Sequence, residues 1–217
     1  MITGANGSIG SDLVEFFSTN NTVYAFYRSK NLIINKLKHK NIKWFKQDLK
    51  NPVNYKIKPD IIIHLAITHP FSNKDNYLGY INSNINSLIN TIEFGKNKKI
   101  KFFFYLSSVK LYGLVEDKEI NENSPIRNPD ILGATKLLAE KIVELQNFNF
   151  FNIRLPGTLS YLVNNDYRPW LNNIINNISK NKKVIINNPN NNFNNIVDTI
   201  EIYKFIKYFI FNKIKSQ

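Results

Sequence analysis

The chain has 217 residues, 43% of them hydrophobic and 13% aromatic, which excludes a disordered polypeptide and suffices for one sizeable core. It contains no cysteine, which rules out disulfides, thiolate catalysis and cysteine metal sites and makes a reducing cytoplasm the expected compartment. The net charge of +13 comes from lysines scattered along a chain that also holds 36 asparagines, so attraction of a small anionic ligand is expected and a nucleic-acid partner is not.

No apolar run is long enough to span a bilayer, and the N-terminus lacks a basic segment leading into an apolar stretch, so no membrane association is expected. In chain order, "MIT" reads as the stub of a strand. "SIGSDLVEFFST" follows as a helix, with Ile9, Leu13, Phe16 and Phe17 at helical spacing. "TVYAFY" and "IKWF" read as strands, and "DIIIHLAI" as a continuously apolar one. "INSNINSLINTIEFGKN" is helical, with Ile85, Leu88, Ile89 and Ile92 on one stripe. "KFFFYLSS" is a further buried strand, 132–147 a helix and "FNFFNIRL" a strand.

Uniformly apolar strands separated by helices specify a parallel sheet covered on both faces. With right-handed crossovers the fold class is α/β, a doubly wound, Rossmann-like parallel sheet. After Leu155 the pattern loosens into a polar loop, "NNPNNNFNN" (187–195), and a closing helix, "IVDTIEIYKFIKYFIF". No Pro/Gly/Ser-rich linker intervenes. Residues 1–154 are therefore expected to form a dinucleotide-binding domain and 155–217 a short substrate lobe built upon it.

"TGANGSIG" places Gly4, Gly7 and Gly10 at the junction of the first strand and first helix. Glycines there permit a tight turn and close approach of backbone to a pyrophosphate, which the helix N-terminus then faces with its amides and positive dipole end. Gly4, Asn6, Gly7, Ser8, Ile9 and Gly10 are the candidate contacts. A site selecting a free ribose 2′-hydroxyl usually ends its second strand in Asp or Glu, whereas "AFYRSK" has Arg28 followed by Ser29. An arginine suits a 2′-phosphate, so NADP is the expected cofactor and NAD the alternative.

These residues resemble the extended short-chain dehydrogenase/reductases, the NAD(P)-dependent epimerase/dehydratase family acting on nucleotide-activated sugars. The matching segments are "TGANGSIG", "QDL" (47–49), "PDIIIHLA" (59–66), Asn84 in "NINSLINTIE", "YLSSVKLYG" (105–113) and "GATKLLAEK" (133–141). "IRLPG" (153–157) and "NNIVDTIEI" (194–202) resemble its later segments. The resemblance implies that Asp48 and Leu49 lie beside the adenine and that Leu65 and Ala66 line the cofactor. It adds Asn84 and Pro156 to the cofactor's surroundings. His64 is then structural, and neither His39 nor His69 has the acidic spacing of a metal site, so no metal is expected.

In the family a tyrosine phenol exchanges the sugar hydroxyl's proton. A lysine four residues later holds the ribose and lowers the phenol's pKa, and a Ser or Thr hydrogen-bonds the same oxygen. Ser108 matches the hydroxyl and Lys136 the lysine, but the tyrosine position is Leu132, and leucine transfers no proton. Some dehydratases of the family carry Met there and rely on an Asp–Lys pair. Here Lys110 is kept and Val109 replaces the Asp, which leaves Lys110 or Tyr112 to serve.

Three readings stand: an enzyme with an altered proton donor, a cofactor-binding scaffold or sensor without turnover, or a diverged or incomplete copy. Family members are longer than this chain and carry the sugar-nucleotide lobe in their later part, so that lobe is expected to be truncated. Arg168, Trp170 and Asn194 fall where substrate contacts would lie. A homodimer through the helices near 84–95 and 132–147 is also implied, with Leu137, Leu138 and Val143 as contacts.

Overall fold

The computed structural model describes residues 1–68, 77–116, 119–162, 169–186 and 196–212. Six strands form one parallel sheet: β1 (Ile2–Thr3), β2 (Val23–Tyr27), β3 (Ile42–Lys46), β4 (Ile61–His64), β5 (Phe102–Ser108) and β6 (Asn149–Leu155). Their order is β3-β2-β1-β4-β5-β6, with every pairing parallel. The two-residue β1 lies mid-sheet, pairing Ile2 with Ala25 on one side and Ile63 on the other.

Side-chain alternation sends the two halves of each strand to separate cores. On one face Ile2, Ala25, Ile63, Phe104 and Leu106 meet Leu13 and Val14 of α1 (Ser8–Ser18). Ile202 and Ile206 complete that core from the last helix, Thr199–Asn212. On the other face Phe26, Ile62, Phe103 and Tyr105 meet Leu88, Ile92, Ala139 and Val143. The sheet is thus doubly wound, as the apolar strands require.

Several elements have weaker signatures in the sequence. A short α2 (Leu32–Lys36) follows β2. The helix expected around residues 81–97 begins as α3 (Tyr77–Ile81), passes through one π turn (Asn82–Asn86) and continues as α4 (Ser87–Lys98). On it Ile85, Leu88 and Ile92 are buried as expected, but Ile89 turns outward. The helix α5 (Ile131–Glu144) begins one residue early because the Asp130 carboxylate caps it, accepting from the Gly133 amide at 2.8 Å. Past β6, the three-residue β7 (Gly157–Leu159) pairs in parallel with β8 (Ile196–Asp198) as a separate two-stranded sheet. Between them lies α6 (Pro169–Ser179), and α7 (Thr199–Asn212) closes the chain.

The expected dimer contacts divide. Val143 is fully buried against the sheet, so it serves the protomer's own core, and of the named residues Leu138 is half-exposed. The Asn-rich loop at 187–195 lies outside the described residues. Among the described residues no helix is long and apolar enough to cross a membrane.

Candidate active site

Strand order reverses between β1 and β4, so the loops leaving their C-terminal ends diverge and open a crevice there. The glycine turn closes it from below: the Gly7 amide donates to the Gly4 carbonyl at 3.0 Å. A Cβ on Gly10 would stand 2.1 Å from that same oxygen, so only glycine lets α1 spring so directly from the turn. No side chain caps α1, and its first backbone bond runs from Ser11 to Gly7. The preceding helix-start amides face the crevice with the positive dipole end, which fits the diphosphate of a dinucleotide.

Neighbouring loops are tied to this turn. The Asn6 side chain donates to the Ser29 carbonyl (2.7 Å), and Asn31 donates to the Asn6 carbonyl (2.8 Å). Arg28 is exposed at the end of β2, its Nη1 3.5 Å from Thr68 Oγ1 across the crevice. Asp48 accepts from the Lys50 amide, and Leu49 is buried with its carbonyl held by Asn90 (2.9 Å).

Thr3 Oγ1 accepts from the amides of both Leu65 and Ala66 (3.1 and 3.2 Å). Its own proton therefore goes to His64 Nδ1 (3.1 Å), leaving the imidazole protonated at Nε2. Burial, and secondarily the Lys136 charge, push the His64 pKa down to about 3, so the ring is a neutral packing group. Asn84 spends its amide on Thr68, accepting from its N–H (2.8 Å) and donating to its carbonyl (3.1 Å). Its place is that of a clasp on the loop after β4.

The catalytic candidates gather where β5 and α5 meet. Ser108, half-buried, closes β5, and its Oγ accepts from the Lys110 amide at 3.2 Å. Lys136 is 7% exposed, donates to the Leu106 carbonyl at 2.6 Å and lies 4.7 Å from the Tyr105 ring centroid. Burial lowers its pKa to about 7, against the opposing pull of Glu140. Leu132, at the tyrosine position, is buried one turn earlier.

The Tyr112 hydroxyl, one of the two candidate proton donors, is engaged on both sides. It donates to the Asn121 carbonyl (2.7 Å) and accepts from Arg154 Nη1 (2.6 Å). Arg154 in turn holds the fully buried Glu140 (2.8 Å), so Tyr112 belongs to a clamp joining β6, α5 and the loop before it. Lys110 is left half-exposed at the mouth, its Nζ 3.6 Å from Asp130 Oδ2. Pro156 lies between β6 and β7, its carbonyl 3.4 Å from the Thr158 hydroxyl. Arg168 and Asn194 fall outside the described residues, as does the side chain of Trp170.

A family profile described as the NAD dependent epimerase/dehydratase family matches residues 1–206. The chain belongs to that family. A relative in the same family, the dTDP-D-glucose 4,6-dehydratase of Dictyostelium discoideum, is 31% identical over 199 residues, covering 78% of this chain and 44% of the relative. The chain thus spans under half of that protein's length. Among solved structures, the fold is similar to a UDP-N-acetylglucosamine 4-epimerase from Methanobrevibacter ruminantium M1 in complex with UDP-N-acetylmuramic acid. There the TM-score is 0.79 at 23% identity, covering 94% of this chain and 69% of that one. It is also similar to a UDP-glucose 4-epimerase from Bifidobacterium longum in complex with NAD+ and UDP, with a TM-score of 0.74 at 16% identity, covering 100% and 75%.

Two site residues of this family member carry little sequence signal. Thr3 looks like a strand end, and Asp130 is twenty positions from the lysine it faces. The Asp130-x-x-Gly133 pattern before an apolar helix could have marked the cap, although not the ion pair.

Proposed function

We propose that the chain carries out NAD(P)-dependent hydride transfer at a carbon of a nucleoside-diphosphate sugar, as an epimerase, dehydratase or reductase whose proton is handled by a group other than residue 132. The carrying observation is an uncapped, glycine-bounded helix start after β1 in the same parallel sheet whose β5 ends in Ser108 and receives Lys136 on the Leu106 carbonyl. The named activities of the relatives, on dTDP- and UDP-sugars, support that substrate class.

When bound, the nicotinamide dinucleotide supplies the hydride acceptor. The amides around Ser8, Ile9 and Gly10 hold its diphosphate, Asp48 and Leu49 flank the adenine, and Arg28 with Ser29 take a 2′-phosphate, favouring NADP. Ser108 hydrogen-bonds the reacting sugar oxygen. Lys136 takes the ribose by giving up the Leu106 carbonyl. Residues 155–217 form the sugar-nucleotide side, with Arg168, Trp170 and Asn194 as its contacts.

Incubation with NADP+ or NAD+ and a panel of UDP- and dTDP-sugars, followed by nicotinamide absorbance and product mass, tests this reading. Turnover of at least one sugar is expected. Tight cofactor binding with no turnover of any would replace it by the second reading, a cofactor-occupied scaffold. That alternative draws on the buried Leu132 and on the Lys136 amine bonded to backbone.

A further inference from the structure

Leu132 leaves the reacting oxygen without a phenol, yet an ion pair between Asp130 and Lys110 stands at the start of the same helix. Asp130 stands two residues before Leu132, and its carboxylate is divided: Oδ1 accepts from the Gly133 amide at 2.8 Å, while Oδ2 faces Lys110 Nζ at 3.6 Å. The backbone fixes both partners. A Cβ on Gly133 would stand 2.3 Å from the Lys110 carbonyl oxygen, so the first turn of α5 lies directly on Lys110, whose amide binds Ser108 Oγ at 3.2 Å. The carboxylate, the ammonium and the Ser108 hydroxyl therefore share one patch at the C-terminal edge of the sheet, where a doubly wound fold binds its ligands.

An ion pair this exposed contributes little to stability. The 51% and 56% exposure of the two side chains also leaves both heads open to a ligand in the crevice. The Tyr112 and Tyr80 phenols are both engaged. Tyr112 is held in the Arg154 clamp, and the buried Tyr80 hydroxyl faces Thr135 Oγ1 at 3.4 Å.

We propose that Asp130 is the general base of this site and Lys110 its electrostatic partner, together replacing the missing phenol. This rests on the functional reading above. In the oxidising direction the sugar O–H bond breaks and its proton passes to the Asp130 carboxylate. The C–H electron pair leaves as hydride for the nicotinamide dinucleotide, and the C–O bond becomes a carbonyl. Lys110 and Ser108 hydrogen-bond the oxygen while it carries negative charge. Reversal returns the proton from the Asp130 carboxylic acid to the oxygen.

Asp130→Asn is the discriminating variant, because asparagine caps a helix as well as aspartate but accepts no proton at neutral pH. Against the parent protein with its best sugar nucleotide, Asp130→Asn and Lys110→Met should each lose turnover on the order of 10²–10⁴-fold. Cofactor affinity, read by quenching of tryptophan fluorescence, should stay unchanged. Adding Leu132→Tyr to Asp130→Asn should restore turnover by returning a phenol. Turnover of Asp130→Asn within a few-fold of the parent overturns the assignment, as does loss without recovery in the double variant, which would make Asp130 structural. A parent inactive on every sugar nucleotide overturns the functional reading and leaves the pair no proton to handle, an outcome distinct from active variants.

Discussion

At residue 132 a buried apolar side chain fills the space from which the family's phenol would act, and Lys136 has turned from solvent into the protein beside it. The lysine bears the energetic consequence. Its folded pKa of about 7 lies below the ordinary 10.5, so the unfolded chain binds more protons between those values. Stability should therefore rise as pH increases from about 7 to about 10.5, and be lost again as pH falls back through the folded value. Lys136→Met should raise the unfolding free energy at pH 7 by roughly 0.5–2 kcal/mol and flatten that pH dependence. Chemical denaturation at pH 7 and 9 checks both effects. Leu132→Tyr in the parent should raise turnover while costing roughly 1–3 kcal/mol of stability, because the larger ring enters a filled site. Arg28→Asp should weaken NADP relative to NAD at least tenfold, and paired affinity measurements with the two cofactors read that ratio directly.

Elements differ in how openly the sequence announces them. Strands β4 and β5 begin as unbroken apolar runs because they are covered on both faces, whereas β6, at the sheet's edge, interrupts its apolar residues with Asn152 and Arg154; the glycine junction marks α1 because few other residues tolerate that turn. The three-residue β7 and β8 carry too few positions for a period to show. The π turn at Asn82–Asn86 carries the Asn84 clasp on Thr68, a tertiary contact that helical spacing in the sequence does not reveal. In the site, glycines and Ser108 were legible because their roles need particular residue types. The direction of Lys136, the capture of Tyr112 by Arg154 and the pairing of Lys110 with Asp130 were not, since each depends on which segment packs alongside. Gly10→Ala tests the most legible of these elements. With a Cβ 2.1 Å from the Gly4 oxygen the turn must open, so cofactor binding should be lost and the melting temperature should fall. Calorimetry and fluorescence titration read the two effects separately.

Across the whole molecule, one buried carboxylate joins the first helix to the last third of the chain. Asp12 accepts from the amides of Tyr161 and Leu162 (2.8 and 3.0 Å) and from the Thr199 hydroxyl (2.6 Å), and Ser160 donates to the Ser8 carbonyl (3.0 Å). The expected boundary near residue 155 therefore separates two sequence patterns, while the hydrogen bonds cross it freely. Asp12→Ala should cost roughly 1–3 kcal/mol, since it leaves two part-buried amides and the buried Thr199 hydroxyl without their acceptor, and urea unfolding should show the loss in one transition.

The same carboxylate also orders events in time. Asp12 and Thr199 are 187 residues apart, and the face of α1 that bears Leu13 and Val14 is covered by Ile202 and Ile206 of the last helix. A ribosome would emit α1 long before the helix bearing Thr199, and that face would stay open to water until those intervening residues had followed. Closure of this face is a late, long-range step, and until it occurs the nascent chain presents an apolar surface for chaperones to shield.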